Sequence, residues 1–342
     1  MTPPPHTSAP VLRRTLVSGG AGFIGSHLVE NLLARGDHVT VVDDLSTGRR
    51  VNLPEEAPGL RFIEADLRDA LAAFGKGEVF DEIYHLAAAV GVKLVVDDPA
   101  RAIETNVEQT SAILRFARQR SPGAGPVPVL IASSSEVYGK SAKDPFSEED
   151  DVVYGPTTVA RWSYAYGKAI DEHLALAYCR DRGVPTVVAR FFNTVGPRQV
   201  GDYGMVLPRF VGAALRGKPI EVHGDGRQSR CFCDVRDVAA VLPRMLGAEA
   251  CHGRVYNVGS DRAVSIRELA ELVVRVTGSA SQVRMVPYAD AFGPGFEDLR
   301  QRRPDLRKIR AAVGFEPRIA LEQTVRDVAR WLTLTGAAEA AA

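Results

Sequence analysis

Two rhythms of hydrophobic and polar positions alternate along this chain. Apolar runs of strand length lie in LRRTLVS (12–18), HVTVVDD (38–44), LRFIEAD (60–66), FDEIYHLAAAV (80–90), PVPVLIASSS (126–135) and VPTVVAR (184–190). Between them, apolar residues recur every three or four positions, as on one face of a helix, first in FIGSHLVENLLA before Gly36 and most extensively over 99–120. Strands that are apolar on both sides and separated by helical crossovers predict an α/β fold, a Rossmann-type doubly wound parallel sheet. Ligands of such sheets sit at the carboxyl ends of the strands.

After Asn193 the alternation loosens. A helix is expected over VLPRFVGAALRG, strands over PIEVHG and CFCDV, a helix over DVRDVAAVLPRMLG, and a strand over VYNVGS that returns to the sheet. The helix SIRELAELVVRVTG, the Gly/Pro-rich stretch 288–305 and the helix LEQTVRDVARWLTL then make a smaller α/β cap. The expected division is 11–193 plus about 228–258 for the dinucleotide half and about 194–227 plus 259–334 for the cap, with disordered tails at 1–10 and 335–342.

The loops between these elements carry the candidate chemistry. Gly19, Gly22 and Gly25 follow the first strand and open a helix at Phe23 and Ile24. Glycines there keep the turn tight and let backbone N–H groups approach a pyrophosphate. Asp43 ends the next strand about twenty residues on, where a carboxylate accepts both ribose hydroxyls and repels a 2′-phosphate. This favours NAD over NADP, although Arg49 and Arg50 in the following loop could meet a phosphate. Asp66 and Leu67 end the third strand at the expected adenine rim, and Leu86, Ala87 and Ala88 let backbone run beside a cofactor at the end of the fourth. His85 reads as a packed residue. Asn106 inside a helix is costly unless it makes a specific hydrogen bond. In RWSYAYGKAIDEH, Tyr164 and Lys168 are four apart on a helix and share a face. An ammonium beside a phenol favours the phenolate, so the pair can take a proton from a sugar hydroxyl.

Composition narrows the setting. The chain has 342 residues, 45% hydrophobic and 25% charged, with 42 basic and 42 acidic side chains. That balance points away from nucleic acid and anionic membranes as partners. No apolar run approaches the roughly 20 residues of a membrane span, and the Pro-rich start lacks a signal-peptide core. Cys179, Cys231, Cys233 and Cys251 lack metal-site spacing and read as free thiols of a cytoplasmic protein, with no metal expected.

Taken together, GGAGFIG, VVDD, SSSEVYG, SYAYGK, RFFNTVGPRQ, the VHGDG-to-Arg230 stretch and RRPD resemble, in order, the extended short-chain dehydrogenase/reductases that act on nucleotide sugars. The nearest in pattern are UDP-sugar 4-epimerases and UDP-glucuronate decarboxylases. The resemblance implies Tyr164 as catalytic base, Lys168 lowering its pKa and binding the nicotinamide ribose, and Ser134 at the sugar O4. It implies Asn193 near the diphosphate, Arg230 and Arg302 as its clamps, and a homodimer seamed by helices 99–120 and 162–181.

All these reactions pass through a 4-keto sugar. Dehydration to a 6-deoxy sugar needs an Asp-Glu pair before VYG; Ser135-Glu136 stands here instead, so dehydration ranks low. Glu136 resembles the decarboxylase Glu and, with Arg230 and the run GPTTVARWSYAYGK, leans toward a hexuronate. The sequence alone ranks a 4-epimerase acting on UDP-glucuronate or UDP-glucose first and a UDP-glucuronate decarboxylase close behind. A non-catalytic NAD(H) sensor on the same fold is the remote alternative, disfavoured by the intact Ser134, Tyr164 and Lys168.

Overall fold

In β1 (Arg14–Ser18), Leu16 and Val17 point to opposite faces of a sheet, and both are fully buried. A strand buried on both faces has no polar side, which is why it reads as a continuous apolar run. The computed structural model describes residues 12–88, 98–121, 123, 125–201, 205–287 and 301–336. Both expected tails, 1–10 and most of 335–342, lie outside these. The last helix does run through Thr335, one residue into the stretch expected to be disordered.

β1 pairs in parallel with β2 (His38–Asp43) and β4 (Glu82–His85). β3 (Leu60–Glu64), β5 (Val129–Ser134), β6 (Thr186–Phe191) and β11 (Arg254–Val258) complete a seven-stranded parallel sheet in the order β11-β6-β5-β4-β1-β2-β3. The doubly wound sheet and the return of VYNVGS to it are therefore present. On one face, α1 (Phe23–Ala34) and α6 (Val235–Gly247) cover Val17, Val41, Leu130 and Val187. On the other, α2 (Leu67–Ala73), α3 (Pro99–Ala117) and α4 (Ser163–Arg182) cover Leu16, Val42, Ile83, Ile131 and Val188. Each such side chain contributes about 1.5–3 kcal/mol on burial.

One boundary differs from expectation. β3 stops at Glu64 rather than Asp66, because the Asp66 carboxylate accepts the Arg68 N–H and starts α2. An Asp at that position caps the helix more strongly than it extends a strand. Leu67 then turns into the sheet core, 3% exposed.

Between β6 and β11 the chain leaves the sheet. The short strands β7 (Thr194–Val195), β8 (Ile220–His223), β9 (Ser229–Cys231) and β10 (Cys233–Asp234) pair outside it, β7 with β10. Beyond β11, β12 (Ala263–Ser265) pairs with β9 and β13 (Val283–Val286) with β8. α5 (Val206–Leu215), α7 (Ile266–Thr277) and α9 (Leu321–Thr335) close a separate core around Phe210, Leu269 and Val328. α8 (Arg307–Val313) places Ile309, with Leu306 and Phe315, in the sheet's own core. Just before it, residues 303–305 run beside Phe146: its N–H donates to the Arg303 carbonyl at 2.8 Å, and its carbonyl accepts from the Asp305 N–H at 2.8 Å.

Candidate active site

The carboxyl ends of β1, β2, β4, β5 and β6 lie along one edge of the sheet, and most of the candidate residues follow them. At β1 the turn is built by backbone contact. Gly19 has φ +72°, and a Cβ on it would meet Ala87 N at 2.6 Å. A Cβ on Gly25 would lie 2.1 Å from the Gly19 carbonyl oxygen. Gly22 caps α1 with no side-chain bond and no acidic residue follows in the first turn, which leaves the N–H groups that open the helix at Phe23 and Ile24 without a side-chain cap. Such a cradle fits a pyrophosphate.

Asp43 is 7% exposed and accepts from the Ala21 and Leu45 N–H groups, each at 2.9 Å. Leu45 adopts φ 58°, left-handed for a side-chain-bearing residue, to bring its N–H there. Burial pushes the Asp43 carboxyl up, and the two N–H donors pull against it. Arg50 donates to the Leu53 and Pro54 carbonyls and lies over the Phe62 ring, so it braces its loop. Asp66 also meets Gln109 of α3 at 3.4 Å. Leu86 donates to the Ser18 carbonyl at 3.0 Å, and Ala87 and Ala88 follow, half-buried. Asn106 on α3 is 2% exposed, an interior position rather than a surface one.

Tyr164 and Lys168 are four apart on α4, beside the end of β5. The Ser134 hydroxyl bears on the Tyr164 phenol, favouring its ionised form, and accepts the Glu136 N–H at 3.2 Å. Lys168 is 2% exposed, and its Nζ donates to the Ala132 carbonyl at 3.1 Å and to Asp171 Oδ2 at 3.2 Å. The expected acidification of Tyr164 by Lys168 is outweighed here. Burial pushes the phenol above its ordinary value; Lys168 and Ser134 pull down, while Glu136 and Asp171 push further up.

Beyond the end of β5, Glu136 Oε1 pairs with Arg302 Nη1. Their side chains are 20% and 9% exposed. Glu136 sits in a 3-10 turn after β5 (Ser135–Tyr138), and Arg302 in the segment held by Phe146. Asn193 Nδ2 is buried with no hydrogen-bond partner among the described residues, a donor fitted to a ligand oxygen. Arg230, on β9 in the cap, is 9% exposed and donates to the Ser229 carbonyl at 2.8 Å.

Some polar groups behind the site escaped sequence reading. Glu172 pairs bidentately with Arg190 of β6, at 2.9 and 2.7 Å, and accepts from Ser133 at 2.5 Å. Asp171 beside it is fully buried against Lys168. The signal was two adjacent carboxylates three and four residues past Lys168, one turn along the same helix.

The NAD-dependent epimerase/dehydratase family model matches residues 15–259. The chain belongs to this family. Its cofactor is accordingly NAD, which the glycine turn and Asp43 fit. The chain is 39% identical to the UDP-N-acetyl-alpha-D-glucosaminuronate decarboxylase of Bacillus cytotoxicus, over 93% of this chain and 97% of that one. It is 36% identical to UDP-glucuronic acid decarboxylase 5 of Arabidopsis thaliana, over 91% and 86%. Among solved structures, the UDP-glucose 4-epimerase of Thermus thermophilus in complex with NAD superposes with a TM-score of 0.79 at 32% identity, covering 94% of this chain and 99% of that one. Decarboxylases and epimerases of the family thus both resemble this chain, an enzyme of their common frame. Among the described residues no helix is long and apolar enough to cross a membrane.

Proposed function

We propose that this enzyme decarboxylates a UDP-hexuronate. The carrying observation is the Glu136–Arg302 pair beside the Ser134–Tyr164 edge. A simple hexose presents only hydroxyls there and has no use for an ion pair. A hexuronate presents a carboxylate on C5. Arg302, which the resemblance assigns to the diphosphate, in this reading gives that carboxylate a cation to approach, but one already paired with Glu136. A 4-epimerase that keeps the carboxylate needs it locked in place; a second carboxylate beside it raises its energy and favours departure of carbon dioxide.

In this reading Tyr164 takes the proton of the sugar 4-hydroxyl, with Ser134 holding O4. NAD, when bound, accepts the C4 hydride and later returns it. The resulting 4-keto sugar is a β-keto acid. As the C5–carboxylate bond breaks, its electron pair moves toward O4, where Ser134 and Tyr164 stabilise the enolate. C5 then takes a proton, and Tyr164 gives its own back to O4. Asn193 and Arg230 hold the diphosphate. The four unpaired cysteines suit a reducing compartment. The reading also carries a homodimer across α3 and α4, where Ile170 stands 44% exposed.

The test is to incubate the protein with UDP-glucuronate and with UDP-N-acetylglucosaminuronate and follow products by mass and proton NMR. Loss of one carbon dioxide from either is expected. A product of unchanged mass with inverted H4 coupling would favour the 4-epimerase that the sequence alone ranks first. Tyr164→Phe should lower turnover by about a thousandfold while NAD still binds.

A further inference from the structure

Beneath the Tyr164–Lys168 pair runs a buried line of polar groups that crosses four elements. Lys168 Nζ meets Asp171 Oδ2 at 3.2 Å on α4. The Thr110 hydroxyl of α3 bears on the Asp171 carboxyl and lies 3.4 Å from His85 Nε2 on β4. The other ring nitrogen, Nδ1, is 2.7 Å from Ser18 Oγ at the end of β1. Ser18, His85, Thr110, Lys168 and Asp171 are each no more than 2% exposed.

A carboxylate fully removed from water is costly unless something uses its charge. A lysine at the same depth, with only the Ala132 carbonyl beside it, would shed its proton. We infer that Asp171 is a positioning residue that keeps Lys168 an aimed ammonium and so maintains its pull on Tyr164. This rests on Tyr164 being the proton acceptor.

The groups that bear on each member set the sign. Asp171 faces Lys168 and Glu172 on its own helix and Thr110 from α3. Lys168 faces Asp171, Tyr164 and Glu172, with the Ala132 carbonyl from β5 and the His85 ring from β4. Tyr164 faces Lys168 and Asp171 along α4, with Ser134 and Glu136 from the end of β5. Burial depresses Lys168, and Asp171 is the largest opposing influence, leaving the amine above its ordinary value. Without the Asp171 charge the lysine titrates lower. Tyr164 then titrates higher, because the ammonium that pulls it down, the largest influence on it after burial, goes with that proton.

The experiment uses Asp171→Asn, which keeps shape and removes charge. Tyr164 ionisation is read in the sugar-free protein from phenolate absorbance, as the difference between each protein and its Tyr164→Phe counterpart. The phenol should titrate about one pH unit higher than in the parent. With UDP-hexuronate, the limb of the pH–rate profile set by Tyr164 should move to higher pH and the limb set by Lys168 to lower pH, and Asp171→Glu should restore both. An unmoved phenol titration, with only lowered stability or a uniformly lowered rate, would overturn the inference. If Asp171→Asn does not fold, Thr110→Val takes its place; a smaller shift in the same direction is expected, and no shift overturns it. The absorbance readout needs no sugar, so a wrong substrate leaves it intact. Full turnover by Tyr164→Phe would instead sink the reading of Tyr164.

Discussion

The two sides of this cleft are built by different means. On the nucleotide side, geometry is set by backbone against backbone: Gly19 against Ala87, Gly25 against Gly19, and Asp43 held by two N–H groups. On the opposite side, where the proposed function puts the sugar, the site is finished by side chains brought from far apart, with Glu136 and Arg302 separated by 166 residues. Backbone contacts leave little room for substitution. A side-chain pair can be exchanged while the sheet beneath it stays as it is. One frame can therefore serve both decarboxylases and epimerases.

Gly25→Ala should break the comparison on its rigid side. The added Cβ meets a carbonyl oxygen at 2.1 Å, with only backbone to yield. A loss of about 3 kcal/mol in urea unfolding, with NAD binding abolished in a fluorescence titration, is expected. Near-normal NAD affinity would mean that the turn gives way more easily than its contacts imply.

Arg302→Met tests the adaptable side. NAD affinity should be unchanged, while kcat/KM for the UDP-hexuronate falls about a hundredfold. A parallel loss of NAD binding would show that the two sides are not separable.

A smaller effect sharpens the contrast through pH. Burial holds His85 down to about 3, so it stays neutral in the folded protein while the unfolded chain titrates near the ordinary 6.5. The folded-state pKa is the lower one, so the unfolded chain takes up the proton first. The His85 contribution is complete above pH 6.5 and is lost as pH falls toward 3, at up to about 1.4 kcal/mol per pH unit. Urea midpoints between pH 7 and 4.5 should fall less steeply in His85→Asn than in the parent.

What could be read from the sequence follows the same division. Glycines that must lack a side chain announce themselves as glycines, and a strand buried on both faces announces itself as an apolar run. Tyr164 and Lys168 show as a helical spacing, and Asp43 as an acid ending a strand. The Glu136–Arg302 pair was hidden because no local pattern links residues so distant, although each stands out separately. Asp171 was hidden because an acid on a helix ordinarily faces water; its burial depends on α3 packing over it. The end of β3 was misplaced because Asp66 suits a strand end and a helix cap equally well until its hydrogen bond is seen. The Tyr164 phenol was expected to be acidified by Lys168 because spacing reveals neighbours but not how much water the fold removes.

The placement of β11 has a consequence for how the chain is made. β6 is complete at Phe191, but its outer neighbour arrives only at Val258. Synthesis at about 5–20 residues per second leaves that edge open for several seconds. Throughout that interval Val187 and Val188, fully buried in the finished sheet, sit on a strand with one row of N–H and C=O groups unmatched. α6 emerges in between and packs in one core with Val187, so one face of that strand can be covered before its edge is paired.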